Sequence, residues 1–369
     1  MIESIVNLLL VVGGIPYLTV IIWLWLGLKR ENISVGSHVL SVSVIIAARN
    51  EEKYIEKCVN SLKCQNYEGD WELIVVDDRS CDNTLGILSD IRRYWSKLHI
   101  VAAHNPPKLF CPKKNALVAG IEIAKGEILL FTDADCEVPS NWIASMVSYF
   151  TEDTGFVAGY AKVSPSASMG ILHHLLSIEN LAMGALAIGS FAHGKPLSCT
   201  GRNLGYRKSV YDEVGGFAEC GHLVGGDDVY MMRNIRRLTN WRMCFNRESI
   251  VNSKPVPLKI LSVIHQKIRH AAKGVNYTGP AFLLGILVYL YHWGILAGIL
   301  QWFFTDSVSI LWIYFCCARF VVDFLLLKRM SAIDKVRSLS ILPFLELLYI
   351  PYVCFFPVAA RLGLFTWKK

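Results

Sequence analysis

Apolar residues form long unbroken runs near both ends of the chain and short runs in its middle. Residues 2–28 contain one acidic and no basic residue. They predict a helix long enough to cross the roughly 30 Å of hydrocarbon in a bilayer. Three further apolar segments lie towards the other end: 281–304, 308–327 and 341–360. The first two are credible spans, whereas three prolines leave the last one open as a span, a re-entrant segment or an interfacial segment.

Between these runs, short β-branched segments alternate with helical patterns. The predicted strands are residues 42–48, 71–76, 99–103 and 127–132, and the predicted helices are residues 51–64, 82–95 and 113–124. Such alternation predicts an α/β domain with a mainly parallel sheet covered by helices. Ligands of such sheets bind at the carboxyl ends of the strands, so polar residues that follow a strand are the first candidates for a site.

Residues 166–192 form another long apolar stretch, whose polar members include His173, Glu179 and Asn180. A transmembrane span here would split the α/β domain, and these polar residues argue against one. An amphipathic helix at the membrane surface, where an apolar acceptor enters, is the preferred interpretation. A plain core helix is the alternative.

The composition indicates a soluble domain joined to membrane segments. Hydrophobic residues make up 53% and charged residues 18% of the 369 positions, which is too apolar for an ordinary cytosolic protein and too charged for a pure membrane bundle. The net charge of +7 suits anionic phosphates or an anionic bilayer. No recognisable nucleic-acid motif accompanies it, so nucleic acid is not expected as a partner. Eleven cysteines without zinc-type spacing indicate reduced, mostly buried thiols.

Basic residues flank the apolar runs unevenly. Lys29 and Arg30 follow the first run, and a second basic cluster at residues 328–337 follows the segment 308–327. By the positive-inside rule, these clusters and the whole middle region face the cytoplasm. The expected location is therefore the cell (inner) membrane, multi-pass, with a cytoplasmic middle domain.

Two carboxylates, Asp133 and Asp135, stand one residue apart at the end of the predicted strand 127–132. In an extended backbone such residues project to the same side, so both can reach one divalent cation. Mg²⁺ and Mn²⁺ favour such oxygen ligands and usually bind substrate phosphate as well. Taken alone, the pattern fits two solvated acids at a strand end better, and the rest of the chain has to decide.

The ends of the first two predicted strands also carry polar residues. Residues 49–52, which follow the strand 42–48, contain no glycine, and this excludes the Gly-x-Gly-x-x-Gly turn of a nicotinamide-binding enzyme. Asp77 and Asp78 follow the strand 71–76, where a carboxylate can accept hydrogen bonds from a nucleobase ring N–H and ribose hydroxyls. Turn or helix-cap roles for both aspartates are the alternative.

Asp227 and Asp228 open a predicted helix at residues 229–238. One interpretation is a general base held in a cleft. The other is a pair of first-turn acids favoured by the helix dipole.

Gln266, Arg269 and His270 share one face of a helix before the second membrane segment, because their spacing is i, i+3, i+4. The guanidinium of Arg269 can bind a diphosphate bidentately. Alternatively, this basic helix contacts lipid headgroups.

These motifs, in this order, resemble those of the family 2 glycosyltransferases. The similarity is to the membrane-integrated branch that contains polysaccharide synthases and lipid or carotenoid glycosyltransferases, and it covers residues 40–275. The matching motifs are Ala47 to Glu52, Asp77 to Ser80, Pro112 to Leu117 with its lysine, Asp133-Ala-Asp135, Gly226-Asp227-Asp228 and Gln266 to His270.

The resemblance implies the GT-A fold and an inverting transfer from a nucleotide-diphosphate sugar. It implies that Asp133 and Asp135 bind a divalent metal, Mg²⁺ or Mn²⁺. It also implies that Asp228 deprotonates the acceptor, with Asp227 as the next candidate, and that Gly201-Arg202-Asn203 lies near the donor sugar. The residues that it places around the nucleotide, the diphosphate or the acceptor path are Ala47, Glu51, Asp78, Lys113, Asp133, Gln266, Arg269 and His270.

His270 stands where the family carries a tryptophan, and imidazole offers less stacking surface for a sugar ring. The apolar segments are also few for a polymer channel. Both features favour transfer of one sugar to a lipid or membrane-embedded acceptor. A processive polysaccharide synthase is the alternative, and an inactive, membrane-anchored sugar-nucleotide binder is an interpretation from another class. The expected domains are a transmembrane helix at 1–28, a cytoplasmic GT-A domain at 40–254, an interfacial amphipathic helix at 255–280 and a C-terminal membrane region of two or three spans at 281–369.

Overall fold

A computed structural model describes residues 2–30, 36, 39–103, 111–163, 170–223, 226–254, 261, 263–265, 267–268, 279–334 and 339–363 of the chain. The chain divides into two compact units. The helical unit comprises residues 1–29, 166–185 and 256–369, and the sheet unit comprises residues 30–165 and 186–255. Residues 166–185, which lie within the predicted α/β domain, therefore group with the helical unit.

The strands of the sheet unit are β1 Val42–Ala48, β2 Trp71–Asp77, β3 Leu98–Ala102, β4 Ile128–Phe131, β5 Cys136–Glu137, β6 Thr154–Val163, β7 Leu204–Arg207 and β8 Arg242–Ser253. In the described residues they form one eight-stranded sheet in the order β3-β2-β1-β4-β7-β6-β8-β5. The strands β3, β2, β1 and β4 are mutually parallel, whereas β7 is antiparallel to both β4 and β6. The parallel half therefore places the carboxyl ends of β1, β2 and β4 at one edge.

The helices of the sheet unit are α2 Ile55–Lys63, α3 Thr84–Arg92, α4 Pro112–Ile123, α5 Trp142–Val147, α7 Lys208–Glu213 and α8 Asp227–Leu238. A further helix, α6 Ile171–Ala192, belongs to the helical unit up to residue 185. The helix α2 shows why such segments pack: Ile55, Val59 and Leu62 recur at helical spacing, and all three are fully buried. They join the side chains of β1 and β2 in one hydrophobic core.

The predicted α/β order is confirmed, and β1 has the predicted bounds. The second half of the sheet was not predicted. In β6 most side chains are buried without alternation, and in β8 polar residues occupy several buried positions, so neither strand shows the period of two that marks a half-exposed strand. The sheet is consequently mixed beyond β4.

Asn203 connects the elements of this second half. Its side-chain amide donates to the backbone carbonyls of Tyr160 and Ser249, each at 2.9 Å, and its carbonyl accepts from the indole N–H of Trp142 at 2.9 Å. The side chain is fully buried. The sequence associated residues 201–203 with the donor sugar, but the Asn203 side chain is placed inside the core, where it satisfies polar groups of three segments.

Besides α6, the described part of the helical unit contains four long helices. They are α1 Ile2–Lys29, α9 Gly279–Thr305, α10 Ile310–Asp334 and α11 Leu342–Arg361. Their shared core includes Leu10, Tyr291, Ile295 and Phe315. Two glycines of α1 permit the close packing, because a Cβ at Gly13 would clash with the carbonyl oxygen of Leu287 and a Cβ at Gly14 would clash with the ring of Phe315.

A buried polar network links three of these helices. Arg319 of α10 contacts Asp323 of the same helix at 3.5 Å and Glu346 of α11 at 2.5 Å, and the hydroxyl of Tyr17 in α1 donates to Asp323 at 2.7 Å. The pairing of Arg319 with Asp323 follows from their i, i+4 spacing. Glu346 lies in another helix, so its contact with Arg319 depends on the packing of α11 against α10.

Among the described residues, five helices are long and apolar enough to cross a membrane: α1, α6, α9, α10 and α11. The segment with three prolines is one continuous helix, with Pro343 in its first turn. In α6, 61% of the most apolar window is buried inside the protein, against 17–28% in the other four. This burial favours packing within the protein for α6.

Candidate active site

Three neighbouring parallel strands, β2, β1 and β4, end at one edge of the sheet, and polar loops follow each of them. Hydrogen bonds join the loops that follow β1 and β2. The backbone N–H of Asn50 donates to Ser80 Oγ at 3.0 Å, and Asn50 Oδ1 accepts from the N–H of Cys81 at 2.7 Å. Asn50 and Arg79 both adopt a positive φ, 55° and 58°. Such backbone strain is tolerated where surrounding bonds enforce it, typically at ligand sites.

Asp78 lies directly after β2, and its side chain is only 7% exposed. The guanidinium of Arg79 lies 2.8 Å from one carboxylate oxygen, and that of Arg49 lies 3.9 Å from the other. The Asp78 N–H donates to the carbonyl of Ala48 at 2.8 Å, which joins the ends of β1 and β2. The carboxylate is therefore held in place by charge-assisted hydrogen bonds on one oxygen.

Asp133 and Asp135 lie in a tight turn after β4. The strand ends at Phe131, and the carbonyl of Asp133 accepts from the N–H of Cys136 at 3.1 Å. The two acids therefore lie in a turn and do not continue the extended strand that the sequence predicts for them. A turn of this kind still presents both carboxylates at the same edge of the sheet.

Each of these two aspartates pairs with a different lysine. The ammonium of Lys113, at the start of α4, lies 3.0 Å from Asp133 and 3.2 Å from Asp227. The ammonium of Lys254, the first residue after β8, lies 2.9 Å from Asp135 and 3.1 Å from Glu51. Two lysines thus join four carboxylates, and these six residues come from five different loops and helix starts.

These pairs set the charge of the site. Burial lowers the pKa of an ammonium, but Asp133 and Asp227 outweigh it and raise the pKa of Lys113 well above its ordinary value. Burial likewise opposes the charge of Asp133, yet Lys113 holds the pKa of that carboxyl below its ordinary value. For Glu51 burial prevails, and its pKa is raised despite Lys254. Burial also lowers the pKa of Lys254, but Asp135 and Glu51 outweigh it and raise that pKa above its ordinary value, so both lysines are charged at neutral pH.

Asp227 and Asp228 begin α8, as predicted, and Gly226 before them has a φ of 68°, a conformation that favours glycine. One oxygen of Asp228 accepts from the backbone N–H of Gly201 at 3.0 Å, and the other accepts from its neighbour Val229 at 2.8 Å. Of the two aspartates, Asp227 contacts Lys113. Among the described side chains, no lysine lies within 4.0 Å of the Asp228 carboxylate.

A small cleft that opens to solvent brings these groups together. Its polar lining comes from Lys113, Asp133, Asp227, Asp228 and Thr132, and its apolar lining includes Ala47, Leu117, Phe131, Leu204, Tyr206 and Phe217. A mostly apolar cleft with a few convergent charged groups is the usual form of a small-molecule site. Asp78, Glu51 and Asp135 do not line this cleft; Glu51 and Asp135 meet at Lys254, and Asp78 sits at the end of β2.

Lys114 is a fully buried lysine that the sequence did not single out. Its ammonium donates to the backbone carbonyl of Cys220 at 2.5 Å and to that of Leu223 at 2.8 Å. It also lies 5.1 Å from the ring centroid of Tyr230 in α8. Lys114 therefore fixes the segment just before the two aspartates. Adjacent residues of a helix point in different directions, so the pair 113–114 could have suggested two separate roles.

Lys254 was missed for another reason. It follows β8, which the hydrophobic pattern did not predict, and its partner Glu51 is 203 residues away. Gln266, Arg269 and His270 lie outside the described residues. The structure therefore brings together Glu51, Lys113, Asp133, Asp135, Asp227 and Asp228, with Ala47 in the cleft wall.

The donor set at Asp133 and Asp135 suits a hard divalent cation, because both ligands are carboxylates. Among the described residues, no cluster of three or more His, Cys, Asp or Glu side chains is arranged to hold a metal. Mg²⁺ is commonly bound by one or two carboxylates together with phosphate oxygens and water, and a pair of aspartates fits that pattern.

Residues 43–215 match the family model described as Glycosyl transferase family 2. Two curated relatives match parts of the chain. Glycosyltransferase AglE of Haloferax volcanii is 30% identical over 192 residues, which cover 51% of this chain and 59% of AglE. Beta-monoglucosyldiacylglycerol synthase of Trichormus variabilis is 31% identical over 113 residues, which cover 30% of this chain and 24% of the relative. The chain thus spans less than two thirds of these relatives.

A solved structure resembles the chain over nearly its whole length. It is the mannosyltransferase PcManGT from Pyrobaculum calidifontis in complex with GDP-Man and Mn²⁺, with a TM-score of 0.63, 19% identity and coverage of 98% of both chains. At this identity the likeness concerns the fold. It confirms the expected GT-A-like α/β fold with long apolar helices.

Proposed function

Because this chain carries a glycosyl transferase family 2 domain, we propose that it transfers one sugar, with inversion, from a nucleotide-diphosphate sugar to a lipid or membrane-embedded acceptor. The observation that carries the proposal is the meeting of Lys113, Asp133, Asp227 and Asp228 in one cleft at the carboxyl edge of the parallel strands. Binding at this edge is the general rule for open α/β sheets.

We propose that the nucleotide-diphosphate sugar lies along this carboxyl edge of the parallel strands. Asp78 accepts a hydrogen bond from the nucleobase, and Glu51 and Ala47 border the nucleoside. The diphosphate reaches Asp133, where Lys113 supplies positive charge. Asp133 and Asp135 would hold a divalent cation, which would supply charge neutralisation at the diphosphate when bound. Gln266, Arg269 and His270 complete the set proposed around the diphosphate or the acceptor path.

Asp228 acts as the general base. Its carboxylate accepts the proton of the acceptor hydroxyl while that oxygen forms a bond to the anomeric carbon. The bond from the anomeric carbon to the phosphate oxygen breaks, and the nucleoside diphosphate leaves with the electron pair. The N–H groups of Gly201 and Val229 orient the Asp228 carboxylate. Attack opposite to the leaving group inverts the configuration.

The acceptor is a lipid in this proposal because of the apolar helices. Five described helices are long and apolar enough to cross a bilayer. One relative is named beta-monoglucosyldiacylglycerol synthase, which indicates a glycolipid product for that protein. We place the sheet unit on the cytoplasmic face of a multi-pass protein, because the basic residues at 29–30 and 328–337 flank the apolar runs.

The test uses the full chain in lipid, with radiolabelled nucleotide sugars, Mn²⁺ or Mg²⁺ and lipid extracts. A single-sugar lipid product is expected, and Asp228→Asn should lower kcat by about 10² or more because proton transfer is lost. Asp227→Asn is the matched control, since it should chiefly weaken donor binding through Lys113. Hydrolysis of a panel of donors without acceptor identifies the sugar and the base.

Other products would contradict the proposal. A long polymer would establish the processive synthase instead. Donor binding without turnover across a broad acceptor panel would establish the inactive binder. A separate variant tests the metal dependence. Asp135→Ala should abolish metal-dependent binding of the donor, while the thermal unfolding midpoint stays close to that of the parent protein. Unchanged metal-dependent affinity would refute the metal role.

A further inference from the structure

Lys254 lies between two carboxylates at the edge of the sheet formed by the carboxyl ends of the parallel strands. Its backbone N–H donates to the carbonyl of Asp135 at 3.0 Å, so the residue is fixed beside the turn after β4. Its ammonium lies 2.9 Å from Asp135 Oδ2 and 3.1 and 3.2 Å from the two oxygens of Glu51. The centroid of the Tyr54 ring lies 4.8 Å from the ammonium. Lys254 is thereby held by main-chain and side-chain contacts together.

The contact with Asp135 competes with metal binding. The ammonium lies 2.9 Å from Asp135 Oδ2, so a cation that bound the same oxygen would have to share it with the ammonium. The proposed function gives Asp135 a divalent cation as its partner. A single oxygen cannot accept the ammonium and the metal in the same direction, and two cations at contact distance repel each other.

The local charge leaves room for one divalent cation. In the described part of the site, five carboxylates are close together: Glu51, Asp133, Asp135, Asp227 and Asp228. Three cationic side chains act on them, namely Lys113, Lys254 and Arg202. The residual charge is two negative charges, which equals the charge of one Mg²⁺ or Mn²⁺ with opposite sign.

Glu51 offers the ammonium of Lys254 a second position. The ammonium contacts both carboxylate oxygens of Glu51, and these contacts do not involve Asp135. Lys254 has a flexible four-carbon stem, so the ammonium can leave Asp135 and remain paired with Glu51. Lys113 has no such arrangement, because its two partners, Asp133 and Asp227, both line the cleft.

We infer that Lys254 is a built-in counter-cation of the donor site, which neutralises Asp135 before the metal binds and withdraws to Glu51 when a divalent cation takes its place. The inference rests on the proposed function for the identity of the metal ligands. Its consequence is a weak affinity for metal alone. The metal then binds well only together with the diphosphate, whose oxygens supply further ligands.

The experiment measures Mn²⁺ binding to the full chain in detergent or nanodiscs, without nucleotide or acceptor. The loss of the free-Mn²⁺ electron paramagnetic resonance signal gives the dissociation constant. Lys254→Met should bind Mn²⁺ about tenfold more tightly than the parent, because the competing charge is gone. Lys254→Gln gives the same test with a polar side chain if the methionine variant folds poorly. Lys254→Arg keeps the charge and should stay within about twofold of the parent.

The control for net charge is Lys97→Met. Lys97 stacks on the ring of Trp71, at the amino end of β2 and hence at the opposite edge of the sheet. Its loss should leave Mn²⁺ affinity unchanged. A second readout is the thermal unfolding midpoint, which Mn²⁺ should raise more in Lys254→Met than in the parent. The gain in affinity should disappear in Lys254→Met with Asp135→Ala, since the metal then lacks its ligand.

Two results would overturn the inference. One is a Lys254→Met variant whose Mn²⁺ affinity equals or falls below that of the parent. The other is an equal gain in Lys97→Met, which would reduce the effect to net charge. Turnover is not measured in this experiment. A protein that transfers no sugar would contradict the proposed function and leave these affinities as they are.

Discussion

Single residues decide how the site is charged and which carboxylate is available. Asp227 is tied to Lys113, whereas Asp228 is oriented by backbone N–H groups. A carboxylate that accepts only amide hydrogens keeps its direction without a cationic partner, which suits a proton acceptor. At this scale the sequence supplied the residue types, and the contacts are the basis on which we propose Asp228 as the proton acceptor.

Lys114 gives a prediction at the same scale. Lys114→Met removes the donor to the carbonyls of Cys220 and Leu223, and the buried oxygens lose their partner. We expect a loss of roughly 1–3 kcal/mol in the free energy of unfolding. We also expect a lower kcat with unchanged donor affinity, because Asp228 follows this segment.

Thermal unfolding and steady-state kinetics measure both effects. Lys113→Met is the matched control, since it changes the neighbouring lysine and should weaken donor binding instead. If Lys114→Met retained the kcat and the stability of the parent, Lys114 would have no part in holding the loop.

Elements are joined by buried polar residues at places that hydrophobic patterns do not reveal. In the sheet unit, Asn203 satisfies groups of Trp142, Tyr160 and Ser249. In the helical unit, Arg319 joins carboxylates of two helices. Both residues satisfy polar groups that packing would otherwise leave buried and unpaired, and such groups are costly in a core.

Asn203→Leu should destabilise the sheet unit. Three buried polar groups lose their partner at once, so we expect a loss of roughly 3 kcal/mol or more. Asn141→Ala is the control, because Asn141 is exposed and its side chain makes no cap hydrogen bond. Chemical or thermal unfolding followed by circular dichroism compares the two. Equal stabilities would show that the Asn203 contacts contribute nothing net.

Arg319→Met should destabilise the helical unit. It leaves the buried Asp323 and the half-buried Glu346 without their cation, and breaking a buried ion pair in this way typically costs about 3–5 kcal/mol. The triple variant Arg319→Met, Asp323→Asn, Glu346→Gln removes all three charges and should recover most of the loss. Thermal unfolding in detergent reads out both variants. A triple variant as unstable as Arg319→Met would contradict charge pairing as the cause.

At the scale of the whole molecule, the chain combines a GT-A-like sheet unit with a helical unit whose apolar helices indicate membrane association. All eleven cysteines are free, and seven are buried, as expected for reduced thiols. Cys64 and Cys81 of the sheet unit are exposed. They offer probes for the proposed cytoplasmic orientation.

A membrane-impermeant maleimide should label Cys64 and Cys81 in inverted membrane vesicles and not in intact cells that express the protein. The positive-inside distribution of basic residues is the physical reason. Cys64→Ser with Cys81→Ser serves as the control for labelling at other thiols. Equal labelling of these two cysteines in intact cells would place the sheet unit on the outer face.

The sequence by itself determined the features that depend on neighbouring residues. The bounds of β1, the acidic opening of α8 and the five long apolar segments follow from local periodicity and composition, and the ordered acidic motifs resemble those of the family 2 glycosyltransferases. Only the tertiary structure decided which charges meet. Lys254 and Glu51 are 203 residues apart, and Lys114 and Cys220 are 106 residues apart. Contacts at such separation depend on the strand order, which includes the unpredicted strands β6 to β8, and no local pattern records that order.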